Sequence, residues 1–467
     1  MKITEKLSPY SITKLDQRQI ASSAFRTTPE ALMGASGVFV QKTNHGGGSP
    51  FIRGLTGNQT LILVDGIERN MNDIEINEVA TISVLKDASA TAVYGMKGGN
   101  GVILITSKRG NTGKAKLTVE YNQTFESLSK YTENVDAYNG ILARNRAILN
   151  EVDVTGQTSW SFYKPDYILD HYLKNDLPYA YASPDWRDLT MKDFGTSNRL
   201  NLNVSGGNKL VKYFGSLSYN HVGDIFDSQD LGQGFNPEFA YDRFNFRTNL
   251  DFNVTSTTLL TVNLAGIYGI QKRNGANPVT FYSSVFGHTP ESPIVQYEDG
   301  VWGFSKAGYV ETGANIVATS NLSGTNVDNR TELNSDYTLN QKLDVVTKGL
   351  SVKAKLAFDN YFTTEGREIS NPGILYKYIA PLFYEQGGSY NYVTQTYELN
   401  GAPISNQEMV KLNYAEYQYP TNVSDGFEWV AEPWDFPTER ITSESANKSV
   451  TTLYYEGSLN YARKFGN

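Results

Sequence analysis

The sequence contains no cysteine, which excludes both a disulfide framework and a thiolate metal site. Its four histidines are His45, His171, His221 and His288, and no two of them stand at metal-ligand spacing, so no zinc or other metal site is expected. No run of about 18 apolar residues occurs, which excludes a transmembrane helix. The opening stretch, Met1 to Thr13, lacks the apolar core of a secretory signal. Cationic excess is missing too: a net charge of −8 argues against a nucleic-acid partner. No G-x-S-x-G elbow accompanies His45-Gly46-Gly47-Gly48, so a lipase-like oxyanion loop is not supported there. No Walker lysine follows Gly98-Gly99-Asn100-Gly101, which reads as a turn. No acid–base pair stands out, and neither an enzyme nor a cofactor is expected. Asp224 and Asp227 could face calcium, but acidic outer loops are common and no metal site is assigned to them.

What is present is aromatic and glycine-rich. The 467 residues include 31 Tyr, 22 Phe and 41 Gly, while hydrophobic residues make up only 39%. Membrane β-barrels have this profile, because every second strand residue faces a polar lumen and aromatics ring both interfaces.

The stretch from Thr81 to Gly110 reads as a compact α/β unit. Thr81–Lys86 is a strand with Ile82 and Val84 on one face. Asp87 can cap a short helix through Ala92, and Gly95 suits its end. Gly98 to Gly101 make a turn, and Val102–Ile105 is a strand buried on both faces. Upstream, Ser11–Leu15 is a strand candidate, followed by short helices at Asp16–Ala24 and Pro29–Gly34, the second capped by Thr28. Val38–Lys42 is a strand, Asn44–Pro50 a glycine-dense loop, and Phe51–Arg53 and Leu61–Val64 are strands around a turn at Gly57-Asn58. Asp65-Gly66 is a turn signal.

After residue 115 eight segments alternate apolar and polar with period two. They centre on Leu117–Phe125, Leu200–Val204, Val211–Tyr219, Arg243–Val254, Leu260–Tyr268, Leu333–Val345, Leu350–Phe358 and Leu453–Tyr461. Charged residues on their inner faces suggest a wet lumen. The connections alternate as well. Tight links at Ser205–Lys209, Thr255–Thr258 and Lys348-Gly349 are interleaved with long ones at about 129–197, 221–241, 272–330 and 366–447. Short periplasmic turns and long outer loops are the pattern of an outer-membrane barrel. Eight strands could close a barrel, but not one with room for a plug, which calls for about 22 strands. The expectation is therefore an N-terminal α/β plug domain at 1–114 and, at 115–467, about eight antiparallel strands of a membrane β-barrel of about 22. The chain is expected to be truncated at both ends, with Lys464–Asn467 beginning another periplasmic turn. Alone it is expected not to transport, since open strand edges cannot face lipid.

Ser83-Val84-Leu85-Lys86-Asp87-Ala88-Ser89-Ala90, Tyr94-Gly95, Gly99-Asn100-Gly101-Val102-Ile103 and Lys108-Arg109-Gly110 closely resemble the end of the plug of SusC/RagA-type TonB-dependent outer-membrane transporters. Phe51-Ile52-Arg53-Gly54 and Val64-Asp65-Gly66 also match plug motifs. Residues 1–65, with Ser8-Pro9-Tyr10, Gly37–Val40 and the triple-glycine loop, resemble plugs of siderophore-, haem- or vitamin-type receptors instead. Neither a β-sandwich extension nor a TonB-box segment is recognisable ahead of the plug.

The resemblance implies TonB-dependent import of an oligosaccharide or peptide across the cell outer membrane, with the plug as gate. Its alternatives are a siderophore, haem or vitamin receptor of the same fold and, in another class, a non-transporting adhesin barrel. Implied partners are the TonB energy-transducing complex, a SusD-like surface lipoprotein and outer-membrane lipid. Arg53, Gly54, Asp65, Gly66, Lys86, Asp87, Tyr94, Gly95, Gly99, Asn100 and Gly101 are the plug's structural motif, with Arg53 and Asp65 expected to fix the plug by charged hydrogen bonds. The candidate substrate contacts are Asn44, His45, Gly46, Gly47, Arg69 and Asn70 at the plug apex, and Trp160, Tyr163, Tyr181 and Trp186 in the first outer loop, where Asp185-Trp186 and Leu189 resemble a recurring feature of the family. Aromatic rings there suit sugars or peptides, and equally suit packing of the loop on itself or on a lid.

Overall fold

The structure, a computed structural model, describes residues 12–22, 25, 27–42, 47–54, 60–86, 92–156, 160–231, 235–275, 278–288, 291–292, 294–303, 315–368, 376–377, 379, 381–405, 408 and 446–463. Asn44, His45, Gly46, the Gly57-Asn58 turn, Asp87 with most of its expected helix, and Lys464–Asn467 lie outside these residues.

The N-terminal part contains strands β1 (Ile12–Asp16), β2 (Val38–Lys42), β3 (Gly48–Ile52), β4 (Leu61–Val64), β5 (Ile67–Glu68), β6 (Val79–Leu85) and β7 (Val102–Ser107). Five of them form one sheet in the order β1-β6-β7-β4-β5, and β2 and β3 pair separately. The uninterrupted apolar run of β7 has a direct cause. It lies at the centre, antiparallel to β6 and parallel to β4, with Ile103 opposite both Val84 and Ile62. One face, Ile103 and Ile105, packs into the core with Ile52, and the other, Val102 and Leu104, packs with Tyr94, Leu61 and Leu85, so Val102, Ile103 and Ile105 are buried. Ile82 and Val84 share the buried face of β6 and join Leu32, Ile52, Met71 and Ile76 in the core.

Local chemistry corrects two sequence expectations here. The second helix begins at Thr28, and its cap is Thr27, whose hydroxyl accepts from Glu30 N at 3.3 Å. Thr28 Oγ1 instead donates to Ile74 O at 2.7 Å. The strand expected at Phe51 starts at Gly48, because pairing with β2 extends through Ser49 and Pro50. Asp65-Gly66 closes the β4–β5 hairpin with φ of 50° and 85°, the left-handed pair that a two-residue type I′ turn requires.

The remainder is an eight-stranded antiparallel sheet. Its strands are β8 (Gly113–Glu126), β9 (Gly195–Gly207), β10 (Val211–Gly223), β11 (Ala240–Asn253) and β12 (Thr258–Asn274), then β14 (Thr325–Lys342), β15 (Leu350–Glu368) and β20 (Ala446–Tyr461). The short strands between them, β13 (Trp302–Gly303), β16 (Tyr376–Lys377), β17 (Ser389–Asn391), β18 (Thr396–Leu399) and β19 (Ala402–Pro403), belong to the long connections. Each wall strand pairs with its neighbour in chain order, so the sheet is a meander with β8 and β20 as its edges among the described residues. The wall strands run 13 to 19 residues, longer than the roughly 9–11 a tilted membrane strand needs. Links 208–210, 254–257 and 343–349 are short; links 127–194, 224–239, 275–324 and 369–445 are long. Leu343 and Val345, expected on the sixth strand, fall in the last short link, where Val345 is exposed.

Outward positions carry Leu117, Val119, Tyr121, Phe125, Phe244, Phe246, Leu453 and Leu459, all exposed. Inward positions of β11 carry Asn245, Arg247 and Asn249, which are only 3%, 6% and 1% exposed. The polar inner face is thus not open to a solvent-filled lumen at this level: the plug covers it. The crossing from plug to wall occurs at Gly110. A Cβ there would lie 2.3 Å from Tyr213 N and 2.6 Å from Gly206 O, so only glycine lets the chain press against the wall's backbone.

Above the wall the long connections build their own cores. Trp186 and Met191 of the first pack with Phe281, Val285 and Ile316 of the third. Tyr297 of the third packs with Ile379, Phe383, Tyr384 and Tyr397 of the fourth.

Candidate functional site: the contact between plug and wall

Alternation turns every second wall residue inward, and strand register stacks these residues into rows. Arg243 of β11 is opposite Gly269, which is opposite Arg330 of β14. Deeper rows are Asn245–Ile267–Glu332, Arg247–Ala265–Asn334 and Asn249–Asn263–Asp336. β15 adds Asp359 opposite Asn334.

The plug meets these rows with complementary charge at three depths. Nearest the long connections, Arg243 Nη1 donates to Asn72 O at 2.8 Å and its Nη2 pairs with Glu75. Arg330 Nη2 donates to Asp73 Oδ2 and to Glu332 Oε2, both at 2.7 Å. At mid-height, Arg247 Nε donates to Glu78 Oε2 at 2.7 Å, and Arg69 grips Asp336 and Asp359 together. Towards the short turns, Arg109 donates to Asp251 at 2.8 Å and to Asn263 at 2.7 Å. Asn249 Nδ2 donates to Ser107 Oγ at 2.8 Å and to Lys108 O at 2.7 Å. Lys355 Nζ donates to Asp65 O at 2.6 Å.

Burial shapes the electrostatics. It raises the carboxyls of Asp73 and Glu78 above their ordinary range, against the pull of Arg330 on the first and Arg247 on the second. Each arginine is what makes a buried carboxylate tolerable, and losing it would leave an uncompensated charge.

The expected structural residues fall mainly within the plug. Asp65 accepts from Ser107 N at 3.0 Å and Ser107 Oγ at 2.7 Å, tying the hairpin turn to the end of β7. Arg247 Nη1 approaches Asp65 at 3.9 Å, so Asp65 also meets the wall. Arg53 and Gly54 form an exposed turn with φ of 54° and 81°. Lys86 donates to Thr13 Oγ1 at 2.8 Å and to Ser36 O. Tyr94 packs on Leu61, Leu85 and Val102. Gly95, with φ of 64°, divides Ala92–Gly98 into two short 3₁₀ turns, so the first turn ends at it and a second begins beyond. Gly99 and Asn100 lead into Gly101, where a Cβ would meet Ile52 at 2.8 Å.

The expected substrate contacts separate. Arg69 is not an apex residue open to ligand: it is buried in its carboxylate pair on the wall. Asn70 is exposed and caps the turn Met71–Asp73, accepting from Asn72 N at 3.0 Å. Gly47 adjoins β3, and Gly48 N donates to Asn72 Oδ1 at 2.9 Å. Trp186 is 2% exposed and belongs to the loop core. Tyr181 is also buried, stacked on His171 at 4.8 Å and bonded to Glu385. Their rings are already covered and cannot stack on cargo. Trp160 is exposed, edge-on to the half-buried Tyr163 at 5.7 Å, so the Trp160 ring is presented outward. Missed from sequence were Asp73, Glu75 and Glu78 on the plug and Arg243, Arg247, Arg330, Asp336 and Asp359 on the wall. The available signal was charge at inward positions of strands that a plug must cover.

Residues 4–102 match the family model described as the TonB-dependent Receptor Plug Domain. The chain is 30% identical over 240 residues to the TonB-dependent receptor SusC of Bacteroides thetaiotaomicron, covering 47% of this chain and 22% of that protein. It is 27% identical over 309 residues to TonB-dependent receptor P26 of Formosa agariphila, covering 63% of this chain and 28% of that one. The RagAB peptide importer in its closed-closed state superposes with a TM-score of 0.57 at 19% identity, over 78% of this chain and 42% of that one, a likeness of fold. The chain thus spans less than a third of the length of these curated relatives.

Proposed function

We propose that this chain, which in plug and partial barrel is of the SusC/RagA type of TonB-dependent receptor, is the gate and part of the wall of an active importer in the outer membrane. Its cargo is an oligosaccharide or peptide. The observation that supports this is the chemistry of the plug–wall contact. Among the described residues it is made largely of amide hydrogen bonds, which water can take over as the plug shifts, and of buried ion pairs, which hold the closed plug in register. A purely apolar seal would offer no such exchange.

In this reading cargo binds the outer connections, where Trp160 is presented beside Tyr163, beneath a SusD-like surface lipoprotein acting as lid. The TonB complex then pulls the segment leading into β1. That strand is an edge of the plug sheet, held along one side by β6, and its removal uncovers the core. The plug rearranges against the wall and a path opens.

The test is uptake by cells carrying the full-length receptor, with and without TonB. Accumulation of labelled oligopeptides or oligosaccharides that stops on TonB deletion supports the reading. TonB-dependent accumulation of a ferric siderophore alone contradicts the cargo class, and uptake indifferent to TonB contradicts the gate.

A further inference from the structure

We propose that the inner faces of β9 and β10, with the neighbouring Asn245 of β11, are the hydrogen-bonding lining along which uncharged cargo passes. Under the closed plug the same face holds ordered water. The proposal rests on the import reading above and adds where the path runs and which residues touch the cargo.

Register sets Asn201 of β9 opposite Ser218 of β10, and Ser218 opposite Asn245 of β11. One row nearer the short turns, Asn203 is opposite Ser216. Asn201, Ser218 and Asn245 are 1%, 2% and 3% exposed. The plug lies over them: Asn77 reaches Glu120 of β8 at 3.0 Å, Asn220 of β10 reaches Glu75 at 2.7 Å, and Asn245 Nδ2 donates to Asp73 O at 3.1 Å.

Within the protein, however, Nδ2 and Oδ1 of Asn201, Oδ1 of Asn203, Oγ of Ser218 and Oδ1 of Asn245 have no hydrogen-bond partner. A buried polar group left unpaired costs about 1–3 kcal/mol. A cluster of several is stable only if water occupies the seam, as polar crevices of this kind do. The same atoms offer donors and acceptors without charge. They suit a polymer rich in amides or hydroxyls, which can take over the bonds of the water it displaces.

Further along the same sheet, at β14 and β15, the contact is built differently. There Arg69 holds Asp336 and Asp359, and Arg330 holds Asp73. Opening there would break several buried ion pairs, whereas at Asn201, Asn203 and Ser218 the groups exchanged for water are neutral, flanked by the charged contacts Arg199–Glu120 and Asn220–Glu75.

These 467 residues hold no cysteine, and any cysteine elsewhere in the full-length receptor is first replaced by serine. Ser218→Cys, Asn203→Cys and, on β15, Ala357→Cys opposite Asp336 are made singly in the full-length receptor. Intact cells are treated with a small trimethylammonium methanethiosulfonate, energised or with a protonophore. Ser218→Cys is nearly isosteric, so folding is preserved. The expected result is modification at 218 and 203 on the order of tenfold faster than at 357, because thiol reactivity follows access, with a further rise on energising. Faster, energy-dependent modification at 357 with none at 218 and 203 overturns the path while leaving the gate intact. No response to energy at any of the three, in folded receptor, overturns the gate and the path together.

Discussion

Arg69 and Asp336 stand 267 positions apart in the chain, yet Arg69 Nη1 donates to Asp336 Oδ2 at 3.1 Å inside the protein. The same guanidinium turns its Nε to Asp359 Oδ2 at 2.9 Å on the adjacent strand. One plug side chain therefore bridges β14 and β15. The planar fork of arginine makes this possible, since five fixed donors can serve two carboxylates at once. Arg69 follows directly on the hairpin closed by Asp65-Gly66, and Lys355 of β15 binds Asp65 O. The turn motif and the staple are thus one unit.

Replacing Arg69 by Ala leaves two buried carboxylates facing each other, and we expect a loss of about 3–5 kcal/mol in plug anchorage. In cells this appears as sensitivity to antibiotics too large to cross a plugged barrel. Arg69→Lys rescues only part of the effect, because an ammonium cannot grip both partners. Combining Arg69→Met with Asp336→Asn and Asp359→Asn restores more than Arg69→Lys, since no charge is left unpaired. Equal sensitivity of the single and triple variants would show that the pair does not anchor the plug.

Gly110→Ala places a methyl into the backbone of Tyr213 and Gly206, neither of which can turn aside. We expect the folded, heat-modifiable fraction of receptor in the outer membrane to fall severely. Gly457→Ala is the control, as its Cβ meets nothing within 4 Å. The comparison is a gel-mobility assay of folded against boiled protein, and wild-type behaviour of Gly110→Ala contradicts the crossing described.

Trp186 and Trp160 are expected to part in their effects. Trp186→Ala empties the core shared by the first and third outer connections, at a cost of about 3–5 kcal/mol. Protease added to intact cells should then cut these loops readily while the wall stays intact. Trp160→Ala should leave protease resistance unchanged and weaken cargo binding. Loop cleavage in both variants, or in neither, contradicts the division between core and surface.

The fold was legible because its signals are local. Period-two alternation at Arg243–Val254 reports a wall strand directly, and the short and long links order the strands. The run Val102–Ile105 reports a strand packed on both faces, Ile103 and Ile105 against the main plug core and Val102 and Leu104 against Tyr94. The site was less legible because its contacts join residues far apart in sequence. Nothing near Asp336 announces Arg69, and Glu78 meets Arg247 across 169 positions. Aromatic content misled in the first outer loop, since Trp160 and Trp186 look alike in sequence and only tertiary packing separates the exposed ring from the buried one. The charges of the inner wall face were read as solvated. Their partners lie on the plug, and a strand pattern does not encode what fills a barrel.

The central claim is that the plug must move against the wall for cargo to pass. Ser107 and Asn249 face each other across that contact with Oγ and Nδ2 2.8 Å apart, and these 467 residues hold no native cysteine, any elsewhere in the full-length receptor being replaced by serine. The decisive measurement is energy-dependent uptake by full-length receptor carrying Ser107→Cys and Asn249→Cys, before and after oxidation. The account predicts uptake lost when the disulfide forms and recovered on reduction, with each single variant active throughout. Uptake at the unlocked rate with the disulfide formed would contradict it.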